Sequence, residues 1–144
     1  MVTWVLVADN SRARLFSAEK PASPLVEFRD FTSPEGRLHE GDLVTDKRGR
    51  DQNPASGVLH GLDPATTRKQ DTADRFALQV CEELEMARSR AELTKLYIVA
   101  APAFLGLLRR NQPAKLRQTI AGEIDKNLTT QDPKMIRKHL PDYL

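Results

Sequence analysis

The sequence predicts a single three-layer α/β domain over residues 1–144, with a mixed, mostly five-stranded sheet and helices on both faces. Three observations carry this. The chain opens on an apolar run, Thr3 to Ala8, turns through Asp9-Asn10-Ser11 and returns as a second strand. Between Ala73 and Ala91, apolar side chains recur at helical spacing. A second apolar run, Lys95 to Ala101, follows that helix, the arrangement of parallel strands joined by a helical crossover.

Each element has its own signal. Thr3 to Ala8 is almost continuously apolar, as a strand covered on both faces requires. Asp9, Asn10 and Ser11 tolerate left-handed backbone angles or bond their own main chain, so a tight reversal follows and Ala13 to Ala18 is the hairpin partner. Leu25 to Thr32 alternates Val26, Phe28 and Asp30 with Glu27, Arg29 and Phe31, and is entered from Pro21 and Pro24, which suits a strand toward the sheet edge. The long helix presents Ala73, Phe76, Ala77, Val80, Cys81, Leu84, Ala87 and Ala91 on one face. Asp71 and Asp74 are expected in its first turn and Arg88 and Arg90 in its last, complementing the macrodipole, with a stop near Glu92. After the Lys95 to Ala101 strand, Pro102 suits the first position of a helix through Phe104, Leu105, Leu107 and Leu108. A short helix is expected over Ala114 to Gln118 and a strand over Thr119 to Ile124. Asp132 then caps a last helix that begins with Pro133 and turns Met135, Ile136 and Leu140 inward. Three strands, then helix, strand, helix, strand and helix, is the order of the ribonuclease-H-like fold.

Residues 33–68 have a different character. Gly36, Gly41, Gly49, Gly57 and Gly61 are scattered among Asp, Arg, Lys, Asn and Pro with few hydrophobes. A long, flexible loop is expected there, and loops of this length are commonly functional.

The totals exclude more than they assign. A net charge of +2 is too small to argue for nucleic acid unless the cations cluster locally. Cys81 is the single cysteine and lies on the apolar helical stripe, so it is expected to be a small buried hydrophobe. No apolar run of about eighteen residues is present to span a membrane, and Met1 opens no secretory signal, so a reduced, cytoplasmic protein is expected. His39, His60 and His139 are scattered without zinc-ligand spacing, and Ser11 and Ser56 have no recognisable histidine partner. Neither G-x-x-x-x-G-K-[ST] nor G-x-G-x-x-G occurs. No catalytic residue, metal or cofactor is therefore assigned. Asp9 ends its strand where ribonuclease-H-like nucleases place a metal ligand, and Glu82, Glu83 and Glu85 are acids on the long helix. A two-metal site needs converging carboxylates, yet the next strand ends on Ala100-Ala101-Pro102, so Asp9 reads better as a turn former.

Clustered cations remain. Lys47, Arg48 and Arg50 lie in the glycine-rich stretch, with Arg68 and Lys69 at its end. Arg109, Arg110, Lys115 and Arg117 form a second group, and Lys134, Arg137 and Lys138 a third. The first two groups, if they share a face, make a phosphate-binding surface. His60, after Val58-Leu59, is either a local packing residue or a binding residue. Aromatics are sparse in these stretches, so RNA contact would run through backbone and shape.

Several segments together resemble the bacterial host-attachment protein family. They are Val5-Leu6-Val7-Ala8-Asp9, Ser11-Arg12-Ala13-Arg14-Leu15-Phe16, Leu62-Asp63-Pro64, Arg75-Phe76-Ala77, Val99-Ala100-Ala101-Pro102, Phe104-Leu105-Gly106 and Ile124-Asp125-Lys126-Asn127-Leu128-Thr129. The resemblance runs along nearly the whole chain and marks Asp9, Ser11, Arg12, Arg14, Arg75 and Phe76 as family positions. It implies a role in bacterial attachment to host cells. It also implies a fold similar to the middle domain of archaeal and eukaryotic peptide-chain release factors, where the loop before the long helix carries Gly-Gly-Gln to peptidyl-tRNA. Residues 33–68 occupy the matching place without that motif: Gln52 follows Arg50-Asp51 and Gly57 follows Ser56. The leading expectation is thus a non-enzymatic protein that binds ribosome or structured RNA through Lys47, Arg48, Arg50, Arg68, Lys69 and His60. An interaction protein required for attachment to host cells is the alternative; a metal-dependent nuclease centred on Asp9 is the third class.

Overall fold

The computed structural model describes residues 3–33, the backbone of 64–70, and residues 71–144 in full. The strands are β1 (Thr3–Ala8), β2 (Arg12–Ala18), β3 (Val26–Thr32), β4 (Lys95–Ala100) and β5 (Ile120–Ile124). The helices are α1 (Pro64–Ser89), α2 (Pro102–Asn111), α3 (Ala114–Arg117) and α4 (Pro133–Lys138). The five strands form one mixed sheet in the order β3-β2-β1-β4-β5. β1 is central and buried throughout, as its unbroken apolar run predicts. It pairs antiparallel with β2, from Thr3 opposite Ala18 to Ala8 opposite Ala13, and parallel with β4, from Thr3 opposite Lys95 to Ala8 opposite Ala100. β3 closes one edge and β5, parallel to β4, the other.

Alternation along β1 divides the core between two faces. Trp4, Leu6 and Ala8 pack with Phe76, Val80 and Leu84 of α1 and with Phe104 and Leu108 of α2. Val5 and Val7 pack with Phe16, Tyr97 and Val99 against Ile136 of α4, Leu140 and Leu144. Helices therefore cover both faces, but unequally: α1 has 26 residues and α4 only 6. The thin layer is held by Arg137, whose guanidinium donates to the carbonyls of Pro21, Ser23, Pro141 and Asp142. It thereby ties the β2–β3 connection to the segment after α4. Gly122 of β5 lacks a side chain where the Tyr97 ring crosses; a Cβ there would lie 3.2 Å from that ring.

Three expectations need correction. α1 starts at Pro64, so Asp71 and Asp74 lie beyond the first turn, which holds no acid. Its opening residues are polar, and no apolar period announces them. Ala91, expected on the apolar stripe, is past the helix end and adopts φ 61°. There the Ala91 N–H donates to the Arg88 carbonyl and the Glu92 N–H to the Ala87 carbonyl, a Schellman closure with alanine where glycine is usual. Met135, expected inward, is 40% exposed, while Ile136 and Leu140 do face the core. The Asp132 cap holds: its carboxylate accepts the Met135 N–H at 2.8 Å.

Candidate functional site

The family positions after β1 converge on one polar network. Asp9 Oδ1 accepts the backbone N–H groups of Ser11 at 2.9 Å and Arg12 at 2.8 Å, so this carboxylate shapes the hairpin turn. Its Oδ2 accepts the Thr129 hydroxyl at 2.8 Å. Thr129, in the segment after β5, is buried, and its N–H donates to Asn127 Oδ1. Arg12 makes a two-nitrogen fork onto Asp30, at 3.1 and 2.6 Å. Chiefly through that hydrogen bonding, Arg12 holds the Asp30 carboxyl below the usual carboxylate range, and Asp30 raises Arg12 in return. Arg14 is more enclosed, at 7% exposure. Its guanidinium forks onto Glu27 at 3.0 and 2.8 Å, donates to the carbonyls of Thr129 at 3.0 Å and Gln131 at 2.6 Å, and lies 5.0 Å from the Phe16 ring centre. Asp9 and Arg14 thus clamp the segment after β5 to the β1–β2 hairpin, while Arg12 ties the hairpin to β3.

Strand parity sets Asp9 apart from the helical acids. Asp9 follows Ala8 and so points to the α4 side, where Thr129 meets it. Glu83 is on the opposite face, paired with Arg29 of β3 at 3.0 Å, and Glu85 pairs with Arg88. The sheet separates the carboxylates that a two-metal reading would bring together. Among the described residues, no group of three or more His, Cys, Asp or Glu is placed to hold a metal.

The remaining sequence-predicted residues fall in several places. Lys47, Arg48, Arg50 and His60 lie outside the described residues. Arg68 and Lys69 lie on the backbone of α1, within its first two turns. Arg75 is exposed on α1, whereas Phe76 is a core residue between Phe31 and Phe104, with ring centres 6.0 and 5.9 Å away. Cys81 is buried, its Sγ 3.6 Å from the Leu108 carbonyl; burial, reinforced by Glu82, pushes the thiol up to about 12. Of the third cationic group, Arg137 is occupied by carbonyls while Lys134 and Lys138 are exposed.

Of the second cationic group, Arg109 and Arg117 line a cleft of about 470 Å³, together with Gln112 and β5 residues Ile120 to Glu123. Arg109 donates twice to Glu123 Oε1, at 3.1 and 2.6 Å, linking α2 to the edge strand. Glu123 raises the Arg109 pKa through that hydrogen bonding. Arg117 donates one N–H to the Arg109 carbonyl at 3.0 Å. Gln112, buried at the end of α2, has an Nε2 with no hydrogen-bond partner. Sequence reasoning finds the arginines and misses Gln112, whose burial has no local signature. Among the described residues no helix is long and apolar enough to cross a membrane.

The strand order, the mixed pairing and the helices on both faces define a ribonuclease-H-like α/β domain. An archaeal translation termination factor, aRF1, is similar over 98% of this chain at 11% identity and TM-score 0.53. The chain covers 35% of that factor, about a third of its length. The Ppx/GppA phosphatase of Aquifex aeolicus is similar at TM-score 0.43 and 13% identity, over 86% of this chain and 35% of that one. No curated protein matches the sequence. The family described as "Protein required for attachment to host cells" matches residues 4–140, and the chain belongs to it.

Proposed function

We propose that this domain is a non-enzymatic binding module for ribosome or structured RNA, and that its part in host attachment is indirect, exercised from the cytoplasm. The observation that carries the reading is the polar network after β1. Asp9, Arg12 and Arg14 are engaged with Thr129, Asp30 and Glu27, so these residues brace the scaffold and a partner is met by cations elsewhere. Likeness in fold to a translation termination factor supports a setting in translation. The candidate binding residues are Lys47, Arg48, Arg50, Arg68 and Lys69, with His60 beside them. Replacing Lys47, Arg48 and Arg50 together by Ala should weaken cosedimentation with ribosomes and flatten its salt dependence by about one unit of slope for every phosphate no longer neutralised. Unchanged cosedimentation of the triple variant would remove the reading.

The family description favours a second reading, an interaction protein acting directly in attachment. Native protein detected outside the cell, with adhesion abolished and translation unaffected in a deletion strain, would select it.

A further inference from the structure

We propose that the outer edge of β5 takes an extended acidic peptide of a partner protein as an added strand, with a peptide carboxylate on Arg117. This goes beyond the RNA reading above and does not depend on it. The wall of the cleft supplies the first argument. Ile120, Ala121, Gly122 and Glu123 all line it, although Gly122 pairs with Tyr97 on the α4 side of the sheet and Glu123 with Ile98 on the α2 side. Consecutive residues of a strand face opposite ways, so what these share with one cleft is their edge. β5 ends the sheet, and no described strand pairs with its outer side. The main-chain N–H and C=O groups of an end strand are a template for another chain. Four residues span about 13 Å, room for as many residues of a peptide.

Charge chooses the peptide. Among the described residues Arg117 has one hydrogen-bond partner, the Arg109 carbonyl, and a guanidinium carries five N–H donors, so most of its fork is open to a carboxylate. Arg109 is answered by Glu123, which leaves the lining with one positive charge in excess. Arg110 and Lys115, exposed on the same two helices outside the cleft, add to that sign. A second copy of this chain is the wrong occupant. Two β5 edges paired about a two-fold axis would bring the same cations toward one another. Nor does the β3 edge of a copy answer Arg117, because its Asp30 and Glu27 are already held by Arg12 and Arg14. The register shift between Leu96 and Tyr97 leaves Ala121 as an extra residue in β5, and an edge bulge discourages indiscriminate pairing. Entry is left to a strand that brings the matching charge.

The test is a titration of the ¹⁵N-labelled full chain with a synthetic heptapeptide of alternating threonine and glutamate, followed through its backbone amide resonances. Shifts should gather at Ile120 to Ile124 and at Arg117. Lysine in place of glutamate should remove them. Methylating the peptide's main-chain nitrogens at alternate positions should abolish binding in one of the two phases only, because a strand turns every second N–H toward its neighbour. Arg117→Ala, confirmed folded by circular dichroism, should bind about tenfold more weakly, the effect of losing a hydrogen bond between charged groups. Absence of shifts at millimolar glutamate peptide overturns the proposal, as do shifts centred on β3 instead. Equal binding of the lysine peptide, like behaviour of the two methylated forms, or unaltered affinity in Arg117→Ala overturns it as well. A single-stranded RNA oligonucleotide that moves these amides where the peptide does not overturns it and assigns the edge to nucleic acid. Cosedimentation with ribosomes, which tests the RNA reading, is untouched by failure of the peptide.

Discussion

Arg14 shows what a single residue can hold together. It sits opposite Val7 on the α4 side of the sheet, an apolar address, and is bound there by Glu27 and by the carbonyls of Thr129 and Gln131. Removing it would leave a half-buried carboxylate and two main-chain acceptors without their donor. Arg14→Ala should destabilise the fold by about 3 kcal/mol, read from urea denaturation, and Arg14→Lys should recover only part, because an ammonium lacks the planar fork. The sequence places Arg12 and Arg14 on the same side as Phe16, which hints at burial by period alone. It cannot announce the acceptors, which arrive 115 and 117 positions later from a segment without secondary structure. Asp9 is easier to read, because two of its partners, Ser11 and Arg12, are its near neighbours.

Among the elements, α1 combines the strongest sequence signal with an irregular close. Its apolar stripe from Ala73 to Ala87 is buried as the period demands. Neither of its ends is where the period puts it: the start because Pro64 to Gln70 is polar, the end because alanine occupies the left-handed position. An L-residue with a Cβ is strained there and glycine is not. Ala91→Gly should therefore stabilise the protein by about 1 kcal/mol, seen as a higher urea midpoint at constant slope. An unchanged or lower midpoint would show that the Ala91 angle carries no strain. Asp132 and Pro133 place α4 correctly, but its dependence on Arg137 has no sequence signal, since that arginine reads as one more surface cation.

At the scale of the whole molecule, Cys81 links the core to pH. The thiol is pushed up to about 12 because α1 buries it against α2, while an unfolded cysteine ionises near 8.5. A raised folded value means that its contribution is complete below the unfolded pKa and is lost as pH rises toward the folded one. Stability should fall by up to about 1.4 kcal/mol per pH unit across that window, and Cys81→Ala should remove this component of the slope. Equal alkaline slopes in parent and variant would show that the thiol ionises without unfolding. Strand types, layer composition and the edge position of β3 are all legible in the sequence, because they follow from periodicity and turn chemistry. The cleft is not, because it depends on how the end of α2 meets β5. β1 carries a last consequence. One of its edges finds β2 within a few residues, but the other waits for β4, about ninety positions on. At roughly 5–20 residues per second, a chain emerging from the ribosome would keep that apolar edge open for several seconds. Nascent chains interrupted before Lys95 should therefore be the species most prone to aggregate and to need a chaperone.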